Sequence, residues 1–389
     1  MNKKEISEIR RLLTKDHCRV DRMAGCYVNG DKEKVMTMKE AFLSLPDEEM
    51  HKYCDLLRKV LSGTLGRQLH MLEFPLEEET EGGKQDALLK LRDSRLADDG
   101  ENNSFFDRVI ENCAIPGNYL ILVVHGTYDI PSRGTDRVEQ FDASEYVYRF
   151  LTCAICPVSL SKAGLVYDQE SNSFVDKLQD HMVDPPEIGF LFPAFNDRNT
   201  DIHSVLYHAK NPSDLHEEFT DAVFGSPLPL SAASQKLTFN ETVEDVFGRD
   251  CDFDLAKTIH ENLQVMVEEH KDDPEPAILD QRDVQKFLTQ CGADEEKLKK
   301  WETSEKEIFQ EDVRLMATNL ASGKRFEVSS PDVKISISSE RTDLIETRII
   351  DGEEYIMIPL SGEVEVNGLR IRRKRNISNG NVQQNQADI

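Results

Sequence analysis

The stretch Tyr119–Ile130, YLILVVHGTYDI, constrains this chain more than any other. Tyr119, Ile121 and Val123 alternate with Leu120, Leu122 and Val124, so a strand built here is apolar on both faces. A strand of that kind belongs in the middle of a sheet, where neither face meets water. From His125 the pattern changes. His125, Thr127 and Asp129 place polar groups on one face, and Pro131 ends the run. The segment reads as a central strand with a polar C-terminal end, which is the first place to look for a site.

The surrounding sequence is far more polar. With 389 residues and 39% apolar content the chain has material for a substantial core and for two or three domains. No apolar run approaches the roughly 20 residues that a bilayer requires. The charged, amphipathic start MNKKEISEIRRLL has no apolar signal core, so a cytoplasmic location is expected. The eight cysteines are scattered and fall mainly inside apolar patterns, which suits reduced thiols better than a disulfide framework. The formal net charge of -26 opposes binding to nucleic-acid phosphate or to an anionic membrane.

Taken in order, residues 3–14 form an amphipathic helix with Ile6, Ile9, Leu12 and Leu13 on one side. Val20–Val28 and Lys32–Thr37 form a hairpin about Asn29-Gly30. A helix starts at Pro46, with acids in its first turn, and stops at Gly63. Ser62–Gln68, SGTLGRQ, is glycine-rich but lacks the Gly-Lys-Ser/Thr of a phosphate loop and follows a helix, so it reads as a C-cap and turn. Gln68–Phe74 reads as a strand, and residues 76–117 as broken acidic helices. Further strands are expected at Glu145–Ile155, Gly164–Asp168, Ile188–Phe195 and Ile202–Ala209, the last two joined by a six-residue turn, Asn196–Asp201. Connections this short imply antiparallel pairing.

Helices follow from Asp214 to about Val267, then a charged, proline-containing linker, His270–Ala277. Residues 280–310 suggest an acidic helical hairpin that pairs Val284, Phe287 and Leu288 with Leu298 and Trp301. Lys334–Ser338, Leu344–Ile350, Tyr355–Leu360 and Val364–Val366 are short strands, with Asp351-Gly352 and Asn367-Gly368 at turns. The expectation is an α+β fold with a largely antiparallel central sheet, helical flanks and a small C-terminal all-β unit. Its divisions are 1–117, 118–269, 270–320, 325–372 and a disordered polar tail, 373–389.

Four groups of residues are candidates for chemistry. His125 and Asp129, with Arg133 and Asp136 in the loop, place a base, carboxylates and a cation in one segment, as acid–base work requires. The plainer account is a strand end turning polar where it reaches solvent. Asp197, Arg198 and Asp201, with His203, form a second group that a turn also explains. Should the two groups share one sheet edge, they make one polar cleft. Cys153 and Cys156 are half a zinc site, and in a continuous strand they point to opposite faces, so no metal is expected there. Arg370, Arg372, Arg373, Lys374 and Arg375 form a basic cluster that could touch RNA or the protein's own acidic helices, the plainer account being a charged strand end leading into a solvated tail.

Together, GCYVNGDKEK (Gly25–Lys34), LSGTLGRQL (Leu61–Leu69), GNYLILVVHGTYDIP (Gly117–Pro131), CAICPVSLSKAGL (Cys153–Leu165), GFLFPAFNDRNTDIHSVLY (Gly189–Tyr207) and RTDLIETRIIDG (Arg341–Gly352) resemble a family of cytoplasmic proteins from Clostridia and related anaerobic Firmicutes, designated as domain of unknown function four-three-one-seven. The resemblance runs from Lys3 to about Ile371 and implies a bacterial origin. It brings no activity, substrate, cofactor or catalytic residue. In the family pattern an aspartate commonly follows the histidine, and here that position is Gly126. Two functions are therefore carried forward. The first is a non-enzymatic protein-interaction or regulatory protein, with the acidic helices and terminal β unit as surfaces. The alternative is a hydrolase or nuclease-like enzyme using His125, Asp129, Asp197 and Arg198.

Overall fold

The computed structural model describes residues 1–133, 139–140, 146–299, 314–321, 323, 325–359 and 363–371. They fall into two compact units, Met1–Asp250 with Asn262–Ala321, and Cys251–Glu261 with Ser322–Ile389.

The first unit opens with α1 (Lys3–Arg11), held by a capping box in which Asn2 accepts from the N–H groups of Lys4 and Glu5 while Glu5 accepts from Asn2 N–H. The expected hairpin is β1 (Val20–Val28) and β2 (Lys34–Ala41). Its return strand begins at Lys34 because Asn29 Oδ1 accepts from the N–H groups of Asp31 and Glu33, which widens the turn into a loop. Then come α2 (Asp47–Val60), β3 (Leu69–Glu73), α3 (Lys84–Asp93), α4 (Asp99–Asn112) and β4 (Asn118–Ile130), the doubly apolar strand.

A short pair, β5 (Ser132–Arg133) and β6 (Glu139–Gln140), precedes β7 (Tyr146–Leu160). β7 outruns the expected Glu145–Ile155. On its far side β11 (Ile188–Phe192) pairs up to Ile155 and β10 (His181–Val183) pairs from Val158. Pro157 falls between the two, where its missing N–H breaks no ladder bond on that side. Between β7 and β10 stands a hairpin, β8 (Gly164–Asp168) and β9 (Ser173–Lys177), whose second strand the sequence does not announce.

After Pro193 come β12 (Ala194–Asn196), β13 (Asn199–Asp201) and β14 (Ser204–Ala209). The turn expected over Asn196–Asp201 is there, tightened into a hairpin. Asp197 and Arg198 hold its two central positions at φ 49° and 55°.

The sheet order is β2-β1-β4-β7-β11-β14-β3, antiparallel at every step. β4 lies inside it, and each of its faces meets a separate core. Tyr119, Ile121 and Val123 share one with Leu88 of α3, Phe105 and Phe106 of α4, and Phe219 of α5 (Glu217–Phe224). Leu120, Leu122 and Val124 share the other with Ile9 of α1 and Leu57 and Val60 of α2. That is why neither face of β4 could alternate with polar residues.

The first unit also holds α6 (Ala232–Phe247), the later turns of α7 (Phe253–Glu269), a pair formed by β15 (Ile278–Leu279) and β16 (Leu315–Met316), and α8 (Gln281–Gln290). Val284, Phe287 and Leu288 of α8 are buried as expected, and residues 295–299 are helical. Trp301, the expected partner, lies outside the described residues.

The second unit combines the start of α7 with three antiparallel pairs: β17 (Arg325–Ser329) with β18 (Lys334–Ser338), β19 (Glu346–Ile350) with β20 (Glu353–Met357), and β21 (Val364–Val366) with β22 (Leu369–Ile371). Asp351-Gly352 and Asn367-Gly368 turn the last two with positive φ at both residues, as their sequence requires. Phe326 packs edge-on to Phe253 at 6.1 Å. Residues 373–389 and the cluster members Arg372, Arg373, Lys374 and Arg375 lie outside the described residues. Among the described residues, no helix is long and apolar enough to cross a membrane.

Candidate functional site

At the polar end of β4, the pairing with β7 stays in register from Asn118 to Ile130 without a bulge. Alternation therefore fixes which side each residue takes. His125 lies opposite Leu151, on the side of the α3–α4–α5 core, and Asp129 follows on that side. His125 is fully buried, and its Nδ1 lies 2.7 Å from Asp21 Oδ1. Asp21 sits in the irregularity of β1 between Val20 and Arg22, which turns its carboxylate toward the ring. Partial burial raises the Asp21 carboxyl, but the hydrogen bond and charge of His125 outweigh it and hold the group below its usual value. Asp129 is exposed.

Tyr128 lies on the opposite side, across from Tyr148 and against Phe195 at 6.2 Å. Its hydroxyl donates to Glu8 Oε1 at 2.9 Å, and Arg198 Nη2 donates to the same oxygen at 3.0 Å. Burial, then the Glu8 carboxylate, pushes the Tyr128 phenol up to about 12. This cluster fastens α1 to the β12–β13 turn. Asp197, at that turn, is exposed. Asp201 accepts from Asn196 at 2.6 Å, and His203 pairs with Glu79 at 2.7 Å, which raises the His203 imidazole.

The four predicted residues are thus not gathered into one cleft. His125 and Asp129 take one face of β4, and Arg198 is anchored on the other. A cavity of about 570 Å³ between the 273–279 linker, α7 and α8 contains none of them. Cys153 and Cys156 enter opposite cores, so one ion cannot meet both. Arg370 pairs with Glu365 at 3.2 Å. Arg133 is described only by its backbone, and Asp136 lies outside the described residues. Sequence reasoning missed Asp21, Glu8 and Tyr128 as partners; 104, 120 and 190 residues separate the pairs they form, and no local pattern encodes such contacts.

Gly126 also has a geometric role. A Cβ there would lie 2.4 Å from Cζ of Phe150, its cross-strand partner, and 2.8 Å from Arg19 O. A side chain at this position would have to displace Phe150, so the close packing of β1, β4 and β7 here requires glycine.

The β8–β9 hairpin gathers several exposed large apolar side chains. The facing pairs Leu165–Asp176 and Tyr167–Phe174 place three large side chains on one side. Leu165, Tyr167 and Phe174 are 73%, 53% and 71% exposed, and the two rings meet edge-on at 5.7 Å. Among the described residues the hairpin pairs with no other strand. Asp168, Glu170, Asp176, Asp180 and Asp184 surround these residues in the chain.

Fold and surface together define an α+β protein whose antiparallel sheet is covered on both faces and which presents an apolar, acid-flanked hairpin. Residues 1–369 match the family model described as Domain of unknown function (DUF4317), and the chain belongs to that family. No curated protein and no solved structure matches it.

Proposed function

We propose that this is a non-enzymatic interaction or regulatory protein of the bacterial cytoplasm, and that the β8–β9 hairpin docks a protein partner. The observation that carries the reading is the exposed trio Leu165, Tyr167 and Phe174. Free two-stranded hairpins are marginal in water, and aromatic residues held on one are a cost unless a partner covers them. Such residues supply the anchors of protein interfaces. The acids of the hairpin and the net charge of -26 select a partner with an apolar pocket rimmed by lysine and arginine, and disfavour nucleic acid. The enzymatic alternative, a hydrolase or nuclease-like centre at the end of β4, asks His125, Asp129, Asp197 and Arg198 to converge, and the interaction reading asks nothing of the kind.

The test compares tagged wild type with Leu165→Ser/Phe174→Ser in the native cytoplasm. A captured protein is then purified, and its affinity for both forms is measured directly. The expected partner is basic, binds more weakly as salt rises, and loses about 30-fold or more in affinity to the variant, the loss typical of removing an interface anchor. Equal affinity for both forms refutes the proposal.

A further inference from the structure

Among the described residues of the first unit, Cys18 and Cys54 form a close pair of thiols. Cys18 lies between a single helical turn, Lys15–His17, and the start of β1, while Cys54 lies in the middle of α2. Their sulfurs are 3.9 Å apart, across 36 residues of sequence. Cys18 is half-buried and Cys54 is buried. The sites differ in chemistry as well as access. The two thiols share a hydrogen bond, and that contact, the Val20 N–H and the nearby Arg19 outweigh partial burial to lower the Cys18 thiol. The same contact and its own burial push the Cys54 thiol up. One member is thus a reachable nucleophile and the other a protonated neighbour in the interior.

We propose that Cys18 and Cys54 form a reversible disulfide on exposure to a hydroperoxide. The Cys18 thiolate attacks one peroxide oxygen; the S–O bond forms, the O–O bond breaks, and hydroxide leaves and is protonated to water. Sulfur is oxidised to sulfenic acid as the peroxide is reduced. Cys54 sulfur then attacks Cys18 sulfur; the S–S bond forms, the S–O bond breaks, and the departing hydroxide takes the Cys54 proton to leave as water. Two thiols and one hydrogen peroxide give one disulfide and two waters, and a dithiol reverses the exchange. The sulfurs must close from 3.9 Å to about 2.05 Å. The Lys15–His17 turn buries no side chain, so little packing opposes its shift toward α2, which buried Leu57 and Val60 hold.

The remaining thiols are poorer candidates. Burial pushes up Cys26, Cys113 and Cys291, and pushes Cys156 to about 12. Cys153 is fully buried, and that burial raises its thiol. Cys251 is exposed and serves as the internal control for unselective oxidation.

The experiment treats the full, reduced chain with equimolar hydrogen peroxide at neutral pH, then alkylates under denaturing conditions and maps peptides. The expected result is loss of two of the eight free thiols and a linked pair of peptides carrying Cys18 and Cys54, both reversed by dithiothreitol. In Cys54→Ser, dimedone traps a sulfenic acid at Cys18; in Cys18→Ser neither product forms. Eight thiols still free, a link through Cys251, or the same link forming as fast in urea-unfolded chain would overturn the proposal. The wild-type map decides the matter even where Cys54→Ser does not fold.

Discussion

His125→Ala separates a structural histidine from a catalytic one. The ring is fully buried and hydrogen-bonded to Asp21 at 2.7 Å. Its removal leaves a cavity in a layer that Leu151 and Val123 also line, a loss of about 1–2 kcal/mol after partial collapse. It also removes a hydrogen bond to a carboxylate, about 1.5–3 kcal/mol, with the lower end expected because Asp21 is 37% exposed and regains water. The sum is about 3 kcal/mol, or a fall in urea midpoint of about 1 M at an m-value near 3 kcal/mol/M. Asp129→Ala, four residues along the same face but exposed, stays within about 0.5 kcal/mol. His125→Asn, which places an amide near the Nδ1 position, recovers part of the loss. The pair also has a pH signature. Asp21 is held below its unfolded carboxyl value, so the stability it confers is present above that value, about 3.9, and is lost as pH falls through the lower folded one. His125→Asn flattens that part of the acid limb. Equal midpoints for His125→Ala and Asp129→Ala would refute the reasoning, because neither the cavity nor the hydrogen bond would then exist.

Three more outcomes follow from particular contacts. Gly126→Asp, which drives a side chain into Phe150, lowers stability by about 2–3 kcal/mol in urea unfolding, and Phe150→Leu in the same chain restores part of it. His208 is buried, and that burial, then the charges of His70 and Lys210, lowers its imidazole to about 4. The unfolded state takes up that proton near 6.5, so stability is full above 6.5 and falls by about 3 kcal/mol as pH drops to 4, and His208→Gln weakens that dependence. Leu165→Ser/Phe174→Ser leaves the urea midpoint within the equivalent of about 0.5 kcal/mol, since neither side chain is buried in the free protein; a large fall would mean that the hairpin packs on the protein itself.

Much of the fold is legible in the chain because its signals are local. The doubly apolar run at Tyr119–Val124 required a strand covered on both sides, and two cores cover it. Asp351-Gly352 and Asn367-Gly368 dictated tight turns because they accept positive φ. Short connections required antiparallel pairing, and alternation alone separated Cys153 from Cys156. Signals failed where a neighbour decided the outcome. β9 escaped notice because it buries little and gains its partner only through β8. The strand expected to end at Ile155 runs on through Pro157, because the handover from β11 to β10 makes the missing N–H harmless.

The candidate site divides in the same way. The residue types at the end of β4 were visible, as was the period that puts His125 and Tyr128 on opposite faces. Tertiary structure alone supplied the partners: Asp21 for His125, Glu8 for both Tyr128 and Arg198, and Cys54 for Cys18. Each pair joins residues far apart in sequence. Hydrogen bonds and thiol contacts act over a few ångströms of space, whereas sequence periodicity reports only the face on which a residue stands.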